Sequence, residues 1–268
     1  MKLRDLANFG PAAVLALAII TLWEVSVRSG AMSSLVLPAP TTIVQALMDN
    51  WEILAGHTVQ TCLETVLGLA IAVVLGLLFA ILIDLSAWIR RALYPLLVIS
   101  QTIPIIALAP LLLFWFGFDI GPKIIVVVLY CFFPITVACV DGLLETDRDL
   151  MRLMHSMHAS RWQILWLVRL PGALPSFFSG VRIAATYSVT AAIFGEYVGA
   201  YQGLGIYMEN SANAHVIVLV FAAIVVTALL SLLLFSFVSL LEWLALPWSQ
   251  GRSVWKEMEK ATSRRKVS

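Results

Sequence analysis

His155 and His158 are the closest thing in this chain to a metal-binding pair, since a spacing of three puts both on one face of a helix. No further ligand group clusters around them at the right spacing, so no metal is expected there. Cys62, Cys131 and Cys139 each fall in an apolar stretch. An odd count with none in a polar loop points to free, buried thiols. The phosphate loop G-x-x-x-x-G-K-[ST], the elbow G-x-S-x-G and the zinc pattern H-E-x-x-H do not occur. No catalytic residue is expected, and no cofactor held by this chain.

The polar side chains set inside apolar runs are more informative. Ser179, Arg182, Thr186, Thr190 and Tyr197 fall on one stripe of a helix, while Ala184, Ser188, Ala191, Ala192 and Gly195 collect on the opposite face. Small residues let membrane helices approach closely. A helix with one close-packing face and one hydroxyl face suits the wall of a water-filled path, although such hydroxyls also bond their own backbone carbonyls. Thr58, Thr61, Thr65, Ala72 and Gly76 make a second stripe, read mainly as tight packing. Glu64 lies beside it, and a charge deep in hydrocarbon costs at least about 2.5 kcal/mol. It is expected to meet a buried cation, to face water or to be protonated. Gln101 and Thr102 precede Pro104 and Pro110 in another apolar run, where each proline removes a backbone donor and tends to kink a helix. Glu64 and Gln101 join the hydroxyl stripe as candidates for lining a path.

The elements that must hold these residues follow from composition. The chain is 61% hydrophobic and 12% charged, with a mean hydropathy of +0.95, whereas a soluble domain is about 25% charged. Ala92 to Phe118, Val216 to Leu241 and Val66 to Ile83 carry no charge at all. About 20 apolar residues suffice to cross a bilayer. The fold class is therefore an all-α, polytopic membrane protein with six transmembrane helices, near Pro11–Val27, Thr61–Ile83, Leu93–Phe118, Ile124–Val140, Phe177–Val198 and Val216–Leu241. The first apolar stretch exceeds the about 7–15 residues of a signal core and no A-x-A site follows, so it is read as a retained helix. Disorder, a disulfide scaffold and nucleic-acid binding are excluded; the formal net charge is only +1.

Placing the N-terminus inside leaves fifteen of the 17 basic residues on the cytoplasmic side, with only Arg28 and Lys123 outside. The positive-inside rule then puts both termini in the cytoplasm. Trp23 and Trp115 near outer ends, and Trp88, Trp243 and Trp248 near inner ones, agree as interface anchors. Residues 1–56 read as the first helix with an outer amphipathic segment, 57–245 as the membrane core, and 246–268 as a basic tail on the cytoplasmic lipid surface.

One cytoplasmic segment, Glu145 to Pro175, is too long and too patterned for a simple connector. It carries Leu153, Ser156, His158-Ala159-Ser160, Trp162-Gln163, Val168, Leu170-Pro171 and Ala173-Leu174-Pro175. Here the chain resembles the permease subunits of binding-protein-dependent ABC importers of the type I fold, whose loop signature reads roughly E-A-A-x3-G-x9-I-x-L-P. Aligned on Leu170-Pro171, Val168 takes the Ile position, His158 the Gly position and Arg152-Leu153-Met154 the E-A-A positions. Leu37-Pro38-Ala39-Pro40 with the following Thr41 to Trp51, and Gly199-Ala200-Tyr201-Gln202-Gly203-Leu204-Gly205, resemble the nitrate, sulfonate, taurine and thiamine-precursor branch. The likeness covers about residues 35 to 245. Two positions depart from it. His158 stands where glycine serves a bend, a place histidine tolerates better than most residues. Arg152 replaces the acid, with Asp149 one turn earlier available as a substitute.

The resemblance implies a homodimer whose two loops dock on a cytoplasmic ATPase dimer, which alone carries ATP and Mg. A solute-binding protein outside the bacterial inner membrane delivers the substrate. It assigns the coupling role to residues 145–170, through Arg152, Leu153, Met154, Ser156, Met157, His158, Ala159, Ser160, Arg161, Gln163, Leu170 and Pro171. Phe132-Phe133-Pro134-Ile135, Asp141-Gly142 and Ile183 to Val189 look most like vitamin-precursor members, so a thiamine pyrimidine precursor or related heterocycle is the expected solute. Aliphatic sulfonate, taurine, nitrate or riboflavin uptake by the same mechanism is the alternative. An ATP-independent facilitator would show similar spans, and an intramembrane enzyme would need a catalytic dyad that is not visible.

Overall fold

The computed structural model of the chain describes residues 3–247; the tail from 248 onward, with Trp248, lies outside them. Every regular element among the described residues is helical. Helix α1 (Leu3–Arg28) keeps most of its apolar side chains from Val14 to Val25 exposed. It joins the body at one end, where the Glu24 carboxylate accepts from the Thr41 amide (3.1 Å) and hydroxyl (2.8 Å) and pairs with Arg28. Helix α2 (Pro40–Asp49) starts with proline in its first turn, where a missing N–H costs nothing, and buries Ile43.

Helix α3 (Trp51–Leu85) runs 35 residues, about 50 Å at 1.5 Å per residue, so its ends extend past the roughly 30 Å hydrocarbon layer. It passes residue 57 unbroken. The expected third span is two helices, α4 (Ala87–Ser100) and α5 (Ile105–Phe116). Between them the chain makes tight turns, with Thr102 N donating to Ile99 O and Ile103 N to Ser100 O. Pro104, which has no N–H to continue the ladder, caps α5. Among the described residues, the six expected spans are five helices long and apolar enough to cross a membrane, plus this broken pair.

Helix α6 (Ile120–Leu144) leads through α7 (Arg148–Ser156), α8 (Arg161–Ile164) and a π-turn (Leu165–Arg169) into α9 (Leu170–Tyr197). Helices α10 (Leu204–Asn213) and α11 (Ile217–Ala245) complete the chain. The bundle centres on α6, packed between α3 and α9. Small residues make this possible. A Cβ added at Gly68 would sit 2.5 Å from Val127 Cβ, and one at Gly180 would sit 2.7 Å from Ala138 Cβ and 3.1 Å from the Pro134 carbonyl. The small face read from the sequence, Ala184, Ser188, Ala191, Ala192 and Gly195, is buried in this contact layer. Without water to expel, such helices are held by close van der Waals contact, which any added atom prevents. Cys131 and Cys139 are buried in the same layer as free thiols, and Cys62 is half-buried.

Gly180→Val is therefore expected to lower the thermal midpoint of the detergent-purified protein, at a cost of about 1–3 kcal/mol from overpacking. Gly172→Ala, on the same helix with nothing within 4 Å of its added Cβ, should leave it unchanged. Equal midpoints for both variants would contradict the close contact of α6 and α9.

Candidate functional site

Three places gather the polar chemistry of the bundle. The first is the uncovered side of α9. Thr186, Thr190 and Tyr197 are exposed there and Ser179 and Arg182 half-exposed, on the side opposite the buried small face. The Thr186 hydroxyl donates to the Arg182 carbonyl at 3.1 Å, and Arg182 pairs with Glu242 of α11 at 3.2 Å. Next to this side, a cavity of about 550 Å³ opens against the break between α4 and α5, with Gln101, Tyr130, Asp141, Ile183 and Tyr187 in its wall.

The second place is the segment from α7 to the π-turn. Met151 and His155 on one face of α7 turn toward a small hollow that also contains Asp84 and Arg169. Arg169 Nη1 donates to both Asp84 oxygens, at 2.6 and 2.7 Å, tying the start of α9 to the end of α3. The opposite face of α7 presents Leu150, Leu153 and Met157, which are 45%, 55% and 68% exposed. Met154 sits between the two faces and is half-buried, so the apolar knob consists of Leu150, Leu153 and Met157, with Met154 at its flank. Arg152 and Asp149 pair at 3.3 Å with both side chains in the open.

Helix α7 ends in a Schellman turn. Ala159 N donates to Met154 O and His158 N to His155 O, which requires a left-handed residue at 158. His158 adopts it, at φ 55°. Ser160 and Gln163 then form a capping box: Ser160 Oγ accepts from Gln163 N (3.3 Å) and Gln163 Oε1 from Ser160 N (2.8 Å). The Ala-Ser-x-Trp-Gln run of the sequence is this cap. The Leu170 amide closes the π-turn on Leu165 O, and Pro171, without an amide hydrogen, follows directly.

The third place corrects the reading of Glu64. It is fully enclosed and lines no open surface. Its Oε1 accepts from Gln60 Nε2 (2.8 Å) and lies 3.5 Å from Lys123 Nζ. Of the three fates expected for it, the buried cation is the one found, and Lys123, counted above as an outer charge, is only 4% exposed. Glu196 adjoins this pair. It accepts from Thr61 Oγ1 (2.7 Å) and from Gly205 N (2.6 Å), while Thr61 Oγ1 accepts from Leu204 N and His57 Nδ1 from Gly203 N. Gly203 (φ 132°) closes so tightly over Glu196 that an added Cβ would lie 2.1 Å from the carboxyl carbon. Among the described residues no group of three His, Cys, Asp or Glu could hold a metal ion.

Residues 72–243 match the family described as the binding-protein-dependent transport system inner membrane component. The chain belongs to this permease family. A probable ABC transporter permease of Haemophilus influenzae is 38% identical over 238 residues, 88% of this chain and 94% of that protein. The formylaminopyrimidine transport permease ThiX of Halalkalibacterium halodurans is 41% identical over 233 residues, 87% of this chain and 93% of that one. The riboflavin permease RibX of Chloroflexus aurantiacus is 31% identical over 236 residues, 86% of this chain and 87% of that one. An inward-facing structure of the MetNI methionine ABC transporter superposes with a TM-score of 0.64 at 21% identity, over 72% of this chain and 96% of its own. The permease therefore has the type I fold and is a multi-pass inner-membrane protein.

The sequence pattern of the permease placed α7, α8 and the α9 stripe, but missed Lys123, Glu196, Asp84, Arg169 and Glu242. Their one signal was charge at the margin of an apolar run, at matching depth on different helices.

Two outcomes test these arrangements. His158→Gly should keep the turn and leave the thermal midpoint unchanged or slightly raised. His158→Val should lower stability, since the left-handed conformation costs a non-glycine residue about 1–2 kcal/mol and a β-branched one more. In the clasp, Lys123→Met should destabilise by about 3–5 kcal/mol, and the double variant with Glu64→Gln should recover a large part of it, because the unpaired charge is then gone. Additive losses in that cycle would mean the two residues do not interact.

Proposed function

We propose that this permease is the membrane-spanning half of an ATP-driven importer, working as a homodimer with both termini in the cytoplasm. The observation that carries the reading is the α7 face of Leu150, Leu153 and Met157: an apolar stripe left in the open on a helix whose other face lines the hollow where Asp84 at the end of α3 meets Arg169 before α9. Such a stripe fits a groove on a cytoplasmic ATPase, with Arg152, Ser156, Ala159 and Arg161 at its edge. Movement there passes through Arg169 and Pro171 into α3 and α9. ATP and Mg belong to the ATPase subunits, so this chain is a path and a lever, not an enzyme. A solute-binding protein outside the membrane delivers the substrate to the α2 and α10 end.

The solute is a small vitamin-like heterocycle of the thiamine pyrimidine precursor class. Support comes from the 41% identity to a formylaminopyrimidine permease and from the hydroxyl side of α9. There the one cation, Arg182, is already paired with Glu242. Uptake of riboflavin, aliphatic sulfonate, taurine or nitrate would use the same machinery, and relatives transporting each are 25–32% identical.

Reconstitution in liposomes with the ATPase and binding protein is the test. ATP hydrolysis should rise when solute-loaded binding protein is added outside, and this polypeptide alone should hydrolyse none. Leu153→Asp should reduce that stimulation about tenfold or more, since a buried apolar anchor is worth about 1.5–3 kcal/mol. Unaltered coupling in Leu153→Asp would remove α7 as the transmission surface. Solute flux without ATPase subunits would favour a facilitator instead.

A further inference from the structure

The cavity beside the α4–α5 break has a wall chemistry of its own. At about 550 Å³ it is the size of a small-molecule site. Tyr130 of α6 and Tyr187 of α9 pack side by side along it, with ring centroids 5.7 Å apart and planes tilted by 51°, and Phe133 adds to this aromatic surface. The other polar groups are few: Ser100, whose hydroxyl is spent on Leu97 O, Gln101 from the irregular turn, and Asp141 from α6, whose Oδ1 accepts from the Tyr94 hydroxyl at 2.8 Å. Among the described residues no Lys or Arg contributes to the lining.

Asp141 decides what medium this cavity meets. A carboxylate facing lipid is costly, and such groups face a bundle interior or a water-filled space. The cavity also adjoins the hydroxyl side of α9, because Ile183 and Tyr187 in its wall lie on the same exposed side as Thr186 and Thr190. The neighbouring cation does not reach in, since Arg182 is held by Glu242.

We infer that this cavity is a recognition site within the membrane for a planar, amino-bearing heterocycle without negative charge, an assignment that rests on the substrate reading above. The ring lies against the Tyr130–Tyr187 wall, where each has a π-face to offer. An exocyclic amino group donates to Asp141, and Gln101 can serve a ring nitrogen or an amide oxygen because its side chain both donates and accepts. A sulfonate or carboxylate would meet the Asp141 charge with no cation to offset it. The permease then selects its solute a second time, after the binding protein, by rejecting anions.

Equilibrium binding of a tritiated 4-amino-2-methylpyrimidine to the purified permease–ATPase complex, with no binding protein present, tests this directly. The wild-type complex should retain the probe, and an aliphatic sulfonate should not displace it. Tyr187→Ala should weaken binding about tenfold, as expected for loss of one aromatic contact, while Tyr187→Phe retains it. Asp141→Asn still offers Tyr94 an acceptor, so the helices stay in place; it should weaken the probe severalfold and let the sulfonate compete. Absence of binding to the wild type, or equal binding by Tyr187→Ala and Asp141→Asn, overturns the site. In parallel, cells carrying the whole importer separate the two claims. Pyrimidine uptake with no binding to the complex ends the cavity assignment and leaves the substrate reading standing. Uptake of sulfonate with no uptake of the pyrimidine ends both.

Discussion

Two buried carboxylates and a single ammonium, Glu64, Glu196 and Lys123, have to be solvated by the protein itself, and much of the bundle is arranged to do so. Bringing such charges out of water costs several kcal/mol per ion, recovered only when each is paired or hydrogen-bonded. The donors to the two carboxylates come from three separate stretches of chain: Gln60 and Thr61 on α3, Lys123 at the start of α6, and the Gly205 amide at the start of α10. The register of each helix at this end is fixed by the need to present its group here. The glycines at 203 and 205 follow from the same demand, since only a backbone without Cβ approaches the Glu196 carboxyl so closely.

At the other end, order comes from a different source. Asp84 and Arg169 form one ion pair, with Nη1 reaching both carboxylate oxygens, and α7, α8 and the π-turn hang from it with an exposed apolar face. Between the two ends the helices meet closely at small residues, Gly68 against Val127 and Gly180 against Ala138, and Cys131 Sγ of α6 donates to Ala184 O of α9 at 3.4 Å.

Much of this was legible in the sequence, because hydropathy and helical spacing are local properties. The buried face of Ala184, Ser188, Ala191, Ala192 and Gly195 followed from spacing alone, as did the position of α7 from its loop pattern. His158 at a left-handed position followed from the glycine it replaces. The partners of charged residues did not follow. Glu64 and Lys123 are far apart in the chain, as are Asp84 and Arg169, and nothing local distinguishes a paired carboxylate from one that faces water. Hydropathy likewise merged α4 and α5, since a break that keeps its residues apolar leaves the average unchanged; only Pro104 marked it.

The π-turn at Leu165–Arg169 amounts to one residue inserted into a helix. Each residue of an α-helix advances the chain by about 100° around the axis. Shortening this turn by one residue would therefore swing α7 and α8 by that angle about α9, turning the Leu153 face to another side and drawing Arg169 off Asp84. The distance in sequence from His158 to Leu170-Pro171 is in this sense an angular setting. Under the coupling role proposed for the loop, this setting gives the direction in which a force there would enter the membrane, and even a single-residue change in length would misdirect that force while leaving every contact surface chemically intact.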